Sequence, residues 1–135
     1  MARLKPRPTD MAYPSDRKYT KDHEWIRAAG DTAEIGITDY AQRQLGDVVY
    51  VELPDVGRTI AAGESFGSIE SVKAVSELFA PMSGEVIEVN PHVKDHPEAV
   101  NSNPHDTWML KIRLSGEAAG QSLLDAAAYD ALVKE

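Results

Sequence analysis

The 135-residue chain contains no cysteine. That excludes disulfide cross-links, thiolate metal sites, cysteine nucleophiles and thiol redox chemistry of the polypeptide itself, so any sulfur the protein handles has to be attached to it. Positive charge is scarce and scattered: 14 basic residues against 22 acidic ones leave a net charge of −8. Nucleic acid and anionic bilayers are poor partners for such a surface. No apolar run approaches the roughly 20 residues of a membrane span, and the opening M-A-R-L-K-P-R-P-T-D lacks the apolar centre of a secretory signal. The expectation is a soluble, intracellular protein. Prolines crowd the start, so residues 1–12 read as a flexible extension and residues 13–135 as one domain, large enough to bury a core without cross-links.

What is present reads mainly as β structure. K-Y-T-K-D-H-E-W-I-R and T-A-E-I-G-I-T predict two strands joined by a turn at Gly30 and Asp31. In T-D-Y-A-Q-R-Q-L-G, Asp39 is expected to cap a short helix over 39–45 with Gln42 as its capping-box partner, and Gly46 to end it in the left-handed region. G-D-V-V-Y-V-E-L-P follows as a strand, and from Glu64 to Val89 the pattern stays β, with Pro81 and Gly84 marking a reversal. G-E-V-I-E-V-N-P at 84–91 echoes G-D-V-V-Y-V-E-L-P at 46–54, as two packed sheets that each contribute a matching strand would do. Residues 90–107, with three prolines, read as a long loop. T-W-M-L-K-I-R-L predicts a strand with Trp108, Leu110 and Ile112 on one face. The last segment predicts a helix capped by Ser122, with Leu124, Ala127, Ala128, Ala131 and Leu132 as its apolar stripe.

One stretch resists a purely structural account. E-S-V-K-A-V-S-E, residues 70–77, is a palindrome broken only by Lys73 and Ala74. A hairpin in which Glu70 faces Glu77, Ser71 faces Ser76 and Val72 faces Val75 explains the mirror and puts Lys73 at the tip; a slip by one puts Val72 and Lys73 at the centre instead. Lys-Ala offers none of the positive-φ chemistry that tight hairpins favour, and facing glutamates repel. A Schiff-base or general-base lysine needs burial or a neighbouring cation to lower its pKa, and a tip flanked by acids supplies the opposite. A protruding amine suits acylation by another enzyme, which removes the charge and leaves a long tether.

These residues resemble a known pattern. E-S-V-K-A-V-S-E followed by L-F-A-P-M-S-G-E-V-I-E-V-N is similar to the lipoylation site of glycine cleavage system H proteins, with Lys73 matching the lipoyl lysine. The resemblance extends through K-Y-T-K-D-H-E-W, I-G-I-T-D-Y-A-Q, L-G-D-V-V-Y-V-E-L-P and S-L-L-D-A-A-A-Y-D-A-L, roughly residues 13–133. It implies a lipoyl/biotinyl-type barrel-sandwich hybrid of two small antiparallel sheets with a C-terminal helix, and lipoate in amide linkage to Lys73. It further implies a non-catalytic carrier acting in one-carbon metabolism in the bacterial cytoplasm, the mitochondrial matrix being the second choice. Its partners would be a pyridoxal-phosphate glycine decarboxylase, a tetrahydrofolate-dependent aminomethyltransferase, a dihydrolipoamide dehydrogenase and lipoate-attachment enzymes. The arm would carry an aminomethyl group from the first to the second and be reoxidised by the third.

By the same resemblance Glu24 and Glu77 match acidic positions of a cleft that shelters the loaded arm, where they would pair with its cationic amine. The competing reading of both is solvated strand residues. His92 and His96 in H-V-K-D-H have helical spacing, but Pro91 and Pro97 bracket them as a loop, and no metal site is expected. His105 lies where the family has a Tyr, glycines and one more residue, so the 103–108 loop should differ. His23 is expected to pack. The alternatives are a lipoyl donor or relay of the same family, and another swinging-arm module. A biotinyl domain would show a Met-Lys-Met tip, and a 2-oxoacid dehydrogenase lipoyl domain an Asp where this chain has Val72.

Overall fold

Residues 13–114 and 123–133 are described by the computed structural model. Among them nine strands make two antiparallel sheets. The larger runs β1 (Lys18–Tyr19), β2 (Glu24–Ala29), β3 (Thr32–Ile37), β9 (Leu110–Leu114), β8 (Gly84–Val89), β5 (Thr59–Ile60); the smaller runs β4 (Val48–Glu52), β6 (Ser65–Ser71), β7 (Val75–Phe79). Four helices are short: α1 (Asp39–Leu45), α2 (Pro91–Asp95), α3 (Ala99–Ser102) and α4 (Ala126–Val133). The expected β fold with a helix at 39–45 and a C-terminal helix is therefore what the chain forms. The extension over 1–12 and the Ser122 cap lie outside the described residues.

The core lies between the sheets. Ile35, Ile60, Val86, Leu110 and Ile112 of the larger sheet and Val51, Phe66, Ile69 and Leu78 of the smaller one are buried in one cluster. Period-2 alternation puts these residues inward and charged neighbours outward. The echoing segments become β4 and β8, one in each sheet. A second, aromatic cluster gathers Tyr19, Trp25 and Tyr129. Trp25 faces Gly36 across β2 and β3, where a Cβ on residue 36 would stand 2.6 Å from the indole ring. The ring needs that gap.

Several local expectations are corrected. Thr38, not Asp39, caps α1: its Oγ1 accepts from the Ala41 amide at 3.2 Å, while Asp39 occupies the first turn and accepts from Gln42 Nε2 at 2.9 Å. A threonine one residue earlier fills the same orphan-donor role. The 90–107 loop contains α2 and α3, because Pro91 sits at the start of α2, where its missing N–H is no loss, and the Asn90 side chain caps it. Val93 and Val100 then reach the core. On α4, Ala127, Ala128, Ala131 and Leu132 face outward, and the buried residue is Tyr129. Its large ring takes the contact face, stacked on Tyr19 at 4.9 Å between centroids. Asp125 caps this helix through the Ala128 amide at 2.8 Å. Ahead of β9, Met109 is buried as fully as Leu110 and Ile112, so the alternation expected from Trp108 fails there.

Candidate functional site

The β6–β7 hairpin has the slipped register. Glu70 faces Val75, Ile69 faces Ser76 and Ser68 faces Glu77, so the mirror pairing of Glu70 with Glu77 is wrong. Ser71 and Ala74 close the turn, with the Ser71 amide donating to the Ala74 carbonyl at 2.8 Å, and Val72 and Lys73 sit at its centre. The cause is the Ser71 hydroxyl. Its Oγ accepts from the amides of Lys73 at 3.2 Å and Ala74 at 3.1 Å and donates to the Ala74 carbonyl at 3.2 Å. Such a serine turn competes with the ladder and fixes the loop without positive φ. Among non-glycine described residues only His23 has positive φ, so Val72 and Lys73 are unstrained. The missing Asn-Gly chemistry is not needed here.

Lys73 is exposed, and Val72 and Val75 beside it are 69% and 66% exposed. The Val72 amide donates to the Asp47 carbonyl at 3.0 Å, tying the turn to the elbow between α1 and β4. Gly46 at that elbow has φ 81°, and the Lys73 stem passes it: a Cβ there would lie 3.6 Å from the lysine Cε. The amine thus leaves the fold from a braced base into solvent.

The small sheet shows a polar outer face behind this tip. Tyr50, Glu70 and Val75 form one cross-strand row, and Glu52, Ser68 and Glu77 the next. Glu52, Arg58, Ser65, Ser68 and Glu77 are among the residues lining a surface cleft of 770 Å³. Glu77 is exposed, and its Oε1 accepts from the Ser65 hydroxyl. Glu24 is placed differently. It is 1% exposed, does not line that cleft, and its Oε2 accepts from the Phe79 amide at 2.7 Å, while Oε1 is buried with no hydrogen-bond partner among the described residues. Burial raises its pKa to about 8, opposed in part by the Phe79 hydrogen bond. The reading of Glu24 as a solvated strand residue is wrong. The two carboxylates share β7, one on its amide at Phe79 and one at position 77, without touching.

His23 and His105 hold structure. His23 Nδ1 lies 2.9 Å from the Tyr129 hydroxyl, which lies 2.7 Å from Thr38 Oγ1. His105 Nε2 accepts from the Asp39 amide at 3.1 Å, which gives the 103–108 loop a role at the head of α1. Burial lowers the pKa of both rings. His92 and His96 do share a helical face, with ring centroids 5.0 Å apart, yet no group of three metal-ligating side chains occurs among the described residues. Reading the chain missed Ser71 as the turn's brace, for which S-x-x-A at the palindrome's left arm was the available signal. It also missed Asn101, whose side chain bonds the Val48 amide and the Gly46 carbonyl beneath the turn and for which no local signal exists.

A solvent-facing primary amine on a side-chain-braced turn, carried by a small two-sheet β scaffold, has the geometry that a carrier of the swinging-arm class needs. The family model described as glycine cleavage H-protein matches residues 17–135. Glycine cleavage system H proteins of Acidobacterium capsulatum and Anaeromyxobacter dehalogenans are 55% and 56% identical, over 93% of this chain and 97% and 98% of theirs. The crystal structure of a glycine cleavage system H protein from Mycobacterium marinum superposes with a TM-score of 0.85 at 41% identity, covering 91% of this chain and 100% of that one. The chain belongs to the glycine cleavage H-protein family, whose members are carrier subunits and not catalysts. The biotinyl and 2-oxoacid dehydrogenase readings are thereby set aside.

Proposed function

We propose that Lys73 carries lipoate in amide linkage and that the chain shuttles the aminomethyl group of glycine among the enzymes of the glycine cleavage system. The observation that carries this is Lys73 at the centre of an exposed turn whose own hydrogen bonds leave the side chain with no structural task. Attachment by a lipoate-attachment enzyme joins the lipoyl carboxyl carbon to Nζ. The ammonium gives up two protons, and the activating group leaves with the electron pair of its bond to that carbon. When bound, the lipoyl group supplies a disulfide that accepts the aminomethyl group and two electrons and is later reoxidised. The protein supplies a cysteine-free surface that no thiol–disulfide exchange can divert, a fixed base for the arm, and an acidic sheet face beside it. Tethering raises the effective concentration of one substrate at each active site.

The partners are the pyridoxal-phosphate glycine decarboxylase, the tetrahydrofolate-dependent aminomethyltransferase and dihydrolipoamide dehydrogenase, and the compartment is the cytoplasm, as fits bacterial relatives. No described helix is long and apolar enough to cross a membrane. Glu77, in the cleft, and Glu24, with a buried carboxylate oxygen that has no hydrogen-bond partner among the described residues, are the candidate counter-charges for the loaded arm's ammonium. A cation brought to Glu24 favours the ionised form that burial resists.

Intact mass spectrometry of protein from its native host tests the assignment. One lipoyl adduct mapped to Lys73 is expected, and an unmodified Lys73 in lipoate-replete cells overturns it. Reconstituted glycine decarboxylation with the three partners then separates a cleavage carrier from a lipoyl donor, which would be loaded but inactive.

A further inference from the structure

The lysine turn is braced internally by Ser71, but its pose relative to the rest of the molecule depends on the elbow at Gly46, Asp47 and Val48. The Asp47 carbonyl receives the Val72 amide at 3.0 Å, the lysine stem runs past Gly46, and Val48 pairs with Ser71. No side chain of the hairpin holds that elbow. Its holder comes from α3, more than fifty residues further along the chain.

Asn101 places three hydrogen bonds there. Oδ1 accepts from the Val48 amide at 2.8 Å; Nδ2 donates to the Gly46 carbonyl at 2.9 Å and to Gln42 Oε1 at 2.9 Å. One acceptor and two donors meet one donor and two acceptors, so the amide has a single orientation. The bonds straddle Asp47, leaving its carbonyl free to point at Val72. They also close the C-terminal end of α1, where helix carbonyls lack intrahelical partners. Asn101 itself is seated by its backbone, with its amide on the Glu98 carbonyl at 3.0 Å and neighbouring Val100 in the core.

We infer that Asn101 is the positioning residue of the acceptor lysine: through the Gly46–Val48 elbow it sets where the turn, and hence the lysine Nζ, stands against the body of the protein. The inference rests on Lys73 being the lipoyl acceptor. It assigns to α3 a role in arm presentation, and Asn101 acts through the elbow without touching the arm. The geometry tolerates few replacements. Aspartate keeps the acceptor for Val48 but turns a carboxylate toward the Gly46 carbonyl, and alanine leaves all three partners open.

The test uses the full-length chain in three forms: wild type, Asn101→Ala and Asn101→Asp. Amide hydrogen exchange by NMR is the first readout. In Asn101→Ala the Val48 and Val72 amides should exchange at least 10-fold faster, while Leu110 and Ile112 in β9 keep their wild-type protection. The second readout is steady-state lipoylation by a lipoate-attachment enzyme supplied with lipoate and ATP. A 5- to 20-fold loss in kcat/KM is expected for Asn101→Ala. Asn101→Asp should also lose rate, because its carboxylate faces the Gly46 carbonyl and cannot donate to it. Val86→Ala, chosen to lower Tm by a comparable amount from inside the larger sheet, should leave the lipoylation rate near wild type. Unchanged Val72 exchange, or equal lipoylation losses in Asn101→Ala and Val86→Ala, overturns the inference. If wild type itself accepts no lipoyl group, the carrier assignment of Lys73 fails, and the exchange data still decide whether Asn101 holds the turn.

Discussion

Two hairpins of this protein turn by opposite means. Between β2 and β3 the chain reverses over Gly30 and Asp31, with Gly30 at φ 68° and nothing within 4 Å of where its Cβ would be. Backbone freedom at Gly30 sets that turn, and the Thr32 hydroxyl closes it on the Ala29 carbonyl at 3.1 Å. Between β6 and β7 the central residues have ordinary φ, and the turn is made by the Ser71 hydroxyl and by the Val72 amide on Asp47. The bracing lies on either side of position 73, so what stands there is free to be chosen for chemistry. The open ends of the same hairpins meet where Glu24 accepts from the Phe79 amide.

The largest test of this contrast is Lys73→Arg. Lipoyl loading, followed by mass spectrometry, should be abolished, while Tm changes by no more than a degree. A large fall in Tm would show that the side chain has a structural task after all. Next comes the junction at Glu24. With its pKa near 8 in the folded protein against 4.5 ordinarily, the folded state holds a proton that the unfolded chain has released between those pH values. This contribution to stability is full below about pH 4.5 and is lost as pH rises through about 8, by an amount on the order of a few kcal/mol. Glu24→Gln should remove that slope, seen as the difference between urea midpoints of the two proteins from pH 5 to 8.5. His23 and His105, with lowered pKa values, push stability the other way and cancel in the difference.

Smaller effects separate the turns themselves. Ser71→Ala should cost about 1–2 kcal/mol, because three hydroxyl contacts vanish and two amides lose a partner. Gly30→Ala should cost about 1 kcal/mol, the conformational penalty alone, since the site has room. Chemical denaturation measures both, and only Ser71→Ala should also slow lipoylation. Val75→Ser, on the exposed row beside the tip, should stay within about 0.5 kcal/mol of wild type by the same measurement.

These contrasts also separate what the chain discloses from what it conceals. The element boundaries rest on turn signals that are local: Gly30-Asp31, Gly46, Pro54 and the Pro81–Gly84 reversal each mark their element in the primary structure, whereas the order of the larger sheet, with β3 beside β9 and β5 beside β8, does not show there. Lys73 is legible for the same reason, since its neighbours in the chain are its neighbours in space. The register of its hairpin is not, because a palindrome is symmetric in composition while the Ser71 hydroxyl acts from one side only. Glu24 in H-E-W carries no mark of burial; that comes from β7 closing over it. The stripe on α4 misleads because alanines suit either face, and one tyrosine decides between them. Asn101 stays hidden because its partners are 53 to 59 residues away.

Tyr129 also joins the last helix to the Thr38 cap of α1, whose other end is the Gly46 elbow. The last helix is therefore mechanically in series with the base of the Lys73 turn, although the two are far apart in the primary structure. A reporter or purification handle fused behind α4 attaches at one end of that linkage, so assays of Lys73 loading are best run on protein from which such a fusion has been cleaved.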